Sequence, residues 1–188
     1  MSINPLIDKF PTKIDIDGLI YDINTDFRNC LKIILAYEDD NLTIEEKTYI
    51  MLMRLYREIP DNQELAIKKG ILFLDCGEEN KENDKPRTYS FSKDGKYIYA
   101  AIESSGSNLD LENIEYMHWW KFCYKFLEIG KDTTFSNIIS LRDKKNRGKL
   151  TSEEKNIFIE SREILDLDYD SEPSEEESKF MNLFNGGE

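Results

Sequence analysis

The segment that most constrains the fold is YMHWWKFCYKF, residues 116–126, which holds both tryptophans and the single histidine of the chain. On a helix over residues 111–129, apolar side chains cover two adjacent sides and the charged side chains lie mainly opposite. An apolar arc this wide is typical of a helix that packs on two sides. The sequence therefore predicts that this segment is the central helix of a small bundle, starting at Asp110 and ending at Gly130.

Six further amphipathic stretches predict the rest of the bundle. Thr43 with Glu46, and Thr151 with Glu154, have the spacing of a capping box. The first stretch has Asn24 or Thr25 as its expected N-cap. The predicted helices cover about residues 25–35, 44–59, 62–76, 94–104, 133–142 and 152–165.

Before the first helix, KIDIDGLIYDI places an Asp-Gly pair between apolar residues. A type I′ turn needs positive φ at both central positions, so this pair predicts a β-hairpin over residues 13–23. The expected fold class is mainly α: a small bundle of about six to seven helices with an N-terminal hairpin, forming one domain over residues 1–168.

Two polar stretches are expected to lie outside the packed structure. Residues 78–87 contain no apolar side chain, which predicts a mobile loop over about 78–88. Residues 160–178 contain nine acidic side chains and one basic side chain, so the tail at 169–188 is expected to be disordered apart from its apolar end, KFMNLF.

The formal net charge of −13 argues against a nucleic-acid partner, because such binding draws its affinity from Lys and Arg. The three cysteines are odd in number and widely spaced, which indicates neither a disulfide framework nor a zinc site. The N-terminus lacks the apolar region of a signal peptide, and no apolar run is long enough to span a membrane. We therefore expect a protein of a reducing cytoplasm.

His118 has two interpretations, a general base or metal ligand, or an imidazole that is hydrogen-bonded at the edge of the core. No second histidine, zinc-ligand spacing or nucleophile motif supports the first, so we favour the second and expect neither catalysis nor a cofactor. Trp119 and Trp120 point about 100° apart on a helix and cannot form one flat stacking platform. We expect one to anchor the core and the other to lie at a protein interface.

Four segments resemble those of a known phage family. IDGLIYDINTDFRNCLKI, which includes Thr25, Asp26, Phe27 and Arg28, is similar to the start of the bacteriophage gene-product-fifteen family. The later segments YSFSKDGKYIYAAIE, MHWWKF (with His118, Trp119 and Trp120) and TTFSNIISLRDKK resemble the same family in the same order, over about residues 11–147. The chain departs from the pattern at Gly95, where a better helix former is usual, and at SSGSNLDL.

The resemblance implies a non-enzymatic tail assembly chaperone of long-tailed phages, the siphoviruses, of Gram-positive bacteria. Such proteins coat the tape-measure protein in the host cytoplasm and are absent from the mature virion. The resemblance also implies a second, frameshift-related tail chaperone and the tail-tube protein as further partners. Whether the chain forms a homo-oligomer stays open at this stage.

The apolar end of the tail is a candidate binding segment. Phe180, Leu183 and Phe184 recur at helical spacing, with Met181 between them, and Trp119 is the other candidate for contact with a partner. The alternative is that the tail segment folds back on its own bundle. Two rival functions remain: an acidic DNA mimic that inhibits a host nucleic-acid-binding protein, and, with less support, a metal-dependent enzyme.

Overall fold

In a computed structural model of the chain, residues 3–78, 86–105 and 109–168 are described, and they form a two-stranded hairpin and eight helices. The mainly α fold class with an N-terminal hairpin is confirmed. The elements are β1 (Lys13–Ile16), β2 (Leu19–Asp22), α1 (Phe27–Glu38), α2 (Ile44–Leu55), α3 (Gln63–Leu74), α4 (Phe91–Glu103), α5 (Trp119–Leu127), α6 (Thr134–Asn146), α7 (Ser152–Glu160) and α8 (Arg162–Leu165).

The hairpin forms where the Asp-Gly pair predicts it. Ile16 pairs with Leu19, and both turn residues have positive φ, 54° at Asp17 and 84° at Gly18. The Asp15 carboxylate accepts a hydrogen bond from the Gly18 N–H at 3.0 Å. Ile16 is buried, which anchors one face of the hairpin in the core.

The first two helices begin and end at residues that differ from those predicted. Asp26, not Asn24 or Thr25, is the N-cap of α1, and its side chain accepts from the Arg28 N–H. Helix α2 has the predicted capping box but ends at Leu55, because Tyr56 leaves the helix and pairs with Ile23 beside the hairpin. A tertiary contact therefore ends α2 before Pro60 could.

Helix α3 starts at its N-cap Asn62 and crosses α2 closely. A Cβ added at Gly70 would lie 3.0 Å from Leu55 Cδ2 and 3.3 Å from Met51 Cε, so this glycine allows the two helices to approach. The helix ends as predicted near Gly77, where φ is positive and the N–H donates to the Leu72 carbonyl at 2.8 Å.

The prediction of a helix over 111–129 is wrong in its first half, because α5 begins only at Trp119. The Phe27 N–H donates to the Met117 carbonyl at 2.9 Å, and the Trp119 N–H donates to the Thr25 carbonyl at 2.7 Å. These bonds hold the segment before α5 in an extended conformation against the chain before α1. Asp110 instead caps a single turn, since its carboxylate accepts from the Asn113 N–H at 2.9 Å.

The chain divides into two compact units, residues 1–137 and 138–188. In the second unit, the buried Arg142 donates to the Leu165 and Ile164 carbonyls at 2.9 and 2.8 Å. The predicted capping box begins α7, but the helix expected over 152–165 breaks at Ser161 into α7 and α8. The single domain expected over 1–168 stays a prediction.

Two predicted features concern residues that the structure does not describe. Most of the expected mobile loop, residues 79–85, and the whole tail at 169–188 lie outside the described ranges. Among the described residues, no helix combines the length and apolar character that crossing a membrane requires.

Candidate functional site

The motif Thr25–Arg28 lies directly against the segment that leads into α5. The Thr25 and Tyr116 hydroxyls are 2.6 Å apart, and backbone bonds between the two segments flank this contact. Phe27 stacks on Phe122 with ring centroids 4.9 Å apart. Two of the segments that carry the family resemblance, the one with Thr25–Arg28 and MHWWKF, are thus packed against each other, although about 90 residues separate them in sequence.

We call the contact between the Thr25–Arg28 motif and the segment that leads into α5 the joint. Asp26 and Arg28 add charged groups to it. The Asp26 carboxylate caps α1 and accepts from the Arg28 guanidinium and the Met117 N–H, each at 3.4 Å. The guanidinium also donates to the carbonyls of Leu111, at 3.3 Å, and of Ile114. Arg28 therefore satisfies backbone carbonyls of the turn before α5 that no helix satisfies.

His118 lies at the edge of the core with both ring nitrogens engaged. Nδ1 accepts from the Trp120 N–H at 3.1 Å, which makes His118 the N-cap of α5, and Nε2 lies 3.0 Å from the Pro11 carbonyl. These partners assign the neutral tautomer with the proton on Nε2. Phe10 stacks on the ring at 4.9 Å, and burial lowers the pKa of the imidazole. The position is structural and leaves no nitrogen for an outside substrate.

Both tryptophans cap the end of α3. The indole N–H of Trp119 donates to the Leu74 carbonyl and that of Trp120 to the Phe73 carbonyl, each at 2.8 Å. The last carbonyls of a helix lack intrahelical donors, so the paired indoles supply them. Both side chains are buried, at 3% and 2% exposure. The expectation that one of them lies at an interface, with Trp119 as a contact for a partner, stays a prediction.

An open apolar groove lies next to the joint, between α1 and α4. It has a volume of about 440 Å³. Leu31 and Leu35 of α1 face Ile98 and Tyr99 of α4 across it, and Phe122 of α5 also lines it. This size and apolar lining are typical of a binding site, and the position of Leu35 in the wall explains why it is not buried in the core.

Gly95 of α4 lines the same groove, and nothing lies within 4 Å of the position that its Cβ would occupy. A glycine inside a helix costs about 0.5–1 kcal/mol relative to alanine. At Gly70 the approach of Leu55 explains that cost, whereas no neighbour explains it at Gly95. Gly95, where the chain departs from the family pattern, is therefore part of the wall of the groove.

Glu38 joins the two helices that form the groove. Its carboxylate at the end of α1 accepts from the Ser90 hydroxyl at 2.8 Å and from the Phe91 and Ser92 N–H groups at 3.0 Å each. These donors belong to the first turn of α4, where an anion is favoured by the exposed N–H groups and the helix dipole. In the sequence, no local signal distinguishes Glu38 from the neighbouring Asp39 and Asp40.

One end of the groove is acidic. Desolvation, together with the carboxylates of Glu103, Glu112 and Asp110, raises the pKa of Tyr99. Glu112 itself lines the groove, and Glu103 accepts from the Leu111 N–H at 2.7 Å. Arg28 lines the groove as well, and its guanidinium is engaged with Asp26 and with backbone carbonyls. The groove therefore presents an apolar bed with carboxylates at one end.

A second groove of about 340 Å³ lies beside the hairpin, where Trp120, Phe73 and Ile20 line it. Lys13 and Lys69 line it too, together with Asp15, so its charges are mixed. Ile20 is 60% exposed, which marks the outer face of the hairpin as apolar. Gly77, the glycine with positive φ that follows α3, also lines this groove.

Two cysteine thiols of the described residues, those of Cys30 and Cys123, are held in the protonated state. Burial is the main cause that raises the pKa of the Cys30 thiol, and a hydrogen bond to Cys76 together with burial raises that of Cys123. A protonated thiol is a poor nucleophile. Within the described ranges, no group of three or more His, Cys, Asp and Glu side chains is arranged to hold a metal ion.

Residues 6–167 match the family model described as Bacteriophage Gp15 protein. The chain belongs to the bacteriophage Gp15 family. The match extends beyond the resemblance expected over 11–147 and includes both halves of the joint and the whole α1–α4 groove. No curated protein and no solved structure gave a significant match to this Gp15 protein.

The remaining candidate residues of the sequence analysis, Phe180, Met181, Leu183 and Phe184, lie outside both the Gp15 match and the described residues. Thr25, Asp26, Phe27 and Arg28 are brought together with His118, Trp119 and Trp120 into one joint, in which Asp26 and Arg28 are half-buried and the others are buried. These seven residues contribute to the Gp15 fold, and the α1–α4 groove lies beside them.

Proposed function

We propose that this Gp15-family protein is a non-catalytic tail assembly chaperone that binds the tape-measure protein in the host cytoplasm. The observation that carries the proposal is the open, apolar α1–α4 groove in a chain of a phage family. Leu35 and Tyr99, one from each wall, are 38% and 45% exposed, so the groove offers apolar area that the fold itself does not use.

The proposed partner is suited to such a surface. A tape-measure protein is a long, largely helical chain whose apolar seams are exposed until tail-tube subunits surround it. A groove that takes an amphipathic helix covers such a seam, and a small interface lets the chaperone leave during assembly. The net charge of −13 keeps many copies soluble on one long partner.

By the same resemblance, the proposal extends to a long-tailed phage of a Gram-positive host and to a protein that is absent from the mature virion. A non-catalytic role is supported by the engaged ring nitrogens of His118 and by the raised thiol pKa values of Cys30 and Cys123. The DNA-mimic alternative draws on net charge alone, and no feature of the described residues favours it.

Co-expression with the tape-measure protein of the same phage tests the proposal. The tagged chain should co-purify with the tape-measure protein and increase its soluble fraction. An unrelated acidic protein of similar size and net charge, carrying the same tag, serves as the control. Mass spectrometry of purified virions should detect the tape-measure protein but not this chain. A tape-measure protein that is equally soluble without the chain, and does not co-purify with it, contradicts the proposal.

A further inference from the structure

Gly95 is the feature of the groove that the fold does not explain. It lies inside α4, its added Cβ would meet nothing within 4 Å, and it lines the groove rather than a helix–helix contact. A glycine at such a position allows another backbone to approach closely. The missing side chain therefore makes room for an occupant that is not part of the described residues.

The walls indicate the shape and polarity of that occupant. Leu31 and Leu35 on one side, with Ile98 and Tyr99 on the other, run along two neighbouring helices, so the groove is elongated and apolar. Apolar side chains at helical spacing fill such a groove, and a small residue opposite Gly95 lets the backbone of a helix come close.

The charges indicate its orientation. Glu112 and Tyr99 both line the groove, whereas the guanidinium of Arg28, which also lines it, already contacts Asp26 and the Leu111 carbonyl. A basic end of the occupant is favoured there. The chain's own tail is less suited, because nine carboxylates between residues 160 and 178 precede its apolar segment.

We infer that the α1–α4 groove binds an amphipathic helix of the partner polypeptide, with a small residue against Gly95 and a Lys or Arg beside Glu112. The inference rests on the proposed function in taking the tape-measure protein as the source of that helix. To the proposed function it adds the binding site on this chain, the kind of partner segment that binds there and the orientation of that segment in the groove.

Filling the groove tests the inference. Gly95→Leu places a large side chain where the occupant would lie, and leucine is a better helix former than glycine, so α4 is retained. Gly95→Ala is the matched small substitution, and Ala100→Leu adds the same leucine at an exposed position of α4 outside the groove. We expect Gly95→Leu to weaken binding of the tape-measure protein at least about tenfold. Gly95→Ala should weaken binding less, and Ala100→Leu should leave it unchanged.

A second probe separates the groove from the proposed function. A fluorescein-labelled 21-residue helix with a Leu stripe, a central Ala and Lys at one end should bind the wild-type chain, and Gly95→Leu should abolish this binding. The same peptide with Glu in place of Lys should bind more weakly to the wild type. Glu112→Lys should reverse that preference at low salt, and the difference between the two peptides should shrink as salt rises.

The outcomes distinguish the two ideas. If Gly95→Leu binds both the tape-measure protein and the peptide as the wild type does, the groove inference is wrong and the chaperone proposal stands. If the wild type binds the peptide through Gly95 but does not bind the tape-measure protein, the groove stands and the chaperone proposal fails. A dimer that Gly95→Leu dissociates identifies a second copy as the occupant. Peptide binding that appears only after removal of residues 169–188 identifies the chain's own tail, and either result overturns the inference.

Discussion

The paired indoles allow a prediction in which one substitution is the control for the other. Trp119→Phe and Trp120→Phe remove the same atoms from two buried rings, so the cost of the cavity is similar for both. They differ in the carbonyl that loses a donor. The Phe73 carbonyl also accepts from the Cys76 N–H at 3.1 Å, whereas among the described residues the hydrogen bond to the Leu74 carbonyl comes from Trp119.

The magnitude follows from that difference. A buried acceptor left without a donor costs about 1–3 kcal/mol, while loss of one of two donors costs about 0.5–1.5 kcal/mol. We expect Trp119→Phe to lower the free energy of unfolding by about 1 kcal/mol more than Trp120→Phe does. For a chain of this length, that difference corresponds to about 2–4 °C in Tm.

Urea denaturation is the assay, because each variant keeps one tryptophan as a fluorescence probe of the same region. Circular dichroism at the same urea concentrations checks that both signals report one transition, and equal m-values check that the unfolded states are comparable. If Trp120→Phe is as destabilising as Trp119→Phe, or more so, the hydrogen bonds to the end of α3 do not set the cost and the reasoning is refuted.

Three further predictions concern the cap of α4, the imidazole and the groove. Glu38→Ala should lower the free energy of unfolding by about 2 kcal/mol in urea denaturation, and Glu38→Gln by about half as much, because only the alanine removes every acceptor from the first turn of α4. Burial lowers the folded-state pKa of His118 below its usual value of 6.5, so its protonation opposes folding: stability should be full above about pH 6.5 and fall as the pH drops toward the folded pKa. His118→Asn, which keeps an acceptor at the N-cap, should lose this part of the pH dependence in unfolding measurements from pH 7.5 to 5, and an unchanged profile contradicts it. Gly95→Ala should raise the free energy of unfolding by about 0.5–1 kcal/mol, and a decrease would mean that this position is not open.

Local signals were reliable where an element is specified by residues close in sequence. The Asp17–Gly18 turn and the capping boxes at Thr43 and Thr151 appear where the pattern predicts them, because each needs only neighbours within three residues. The helix over 111–129 failed because Thr25 and Arg28 bind the backbone of residues 111–119 from far away in sequence. Hydrophobic periodicity shows which side chains are apolar. It does not show which backbone groups form hydrogen bonds with residues far away in sequence.

The amino-acid sequence alone determined that the chain is mainly helical with a hairpin at its start, and that the aromatic segment around Trp119 and Trp120 belongs to the core. Tertiary structure decided what those indoles bind and where the α1–α4 groove opens. Gly70 and Gly95 are alike in sequence, since each lies inside a helix, yet Leu55 crowds the first and open space faces the second. Whether a glycine allows two helices to pack closely or leaves a groove open depends on the atoms that face it. Only the packing of the helices decides which atoms those are.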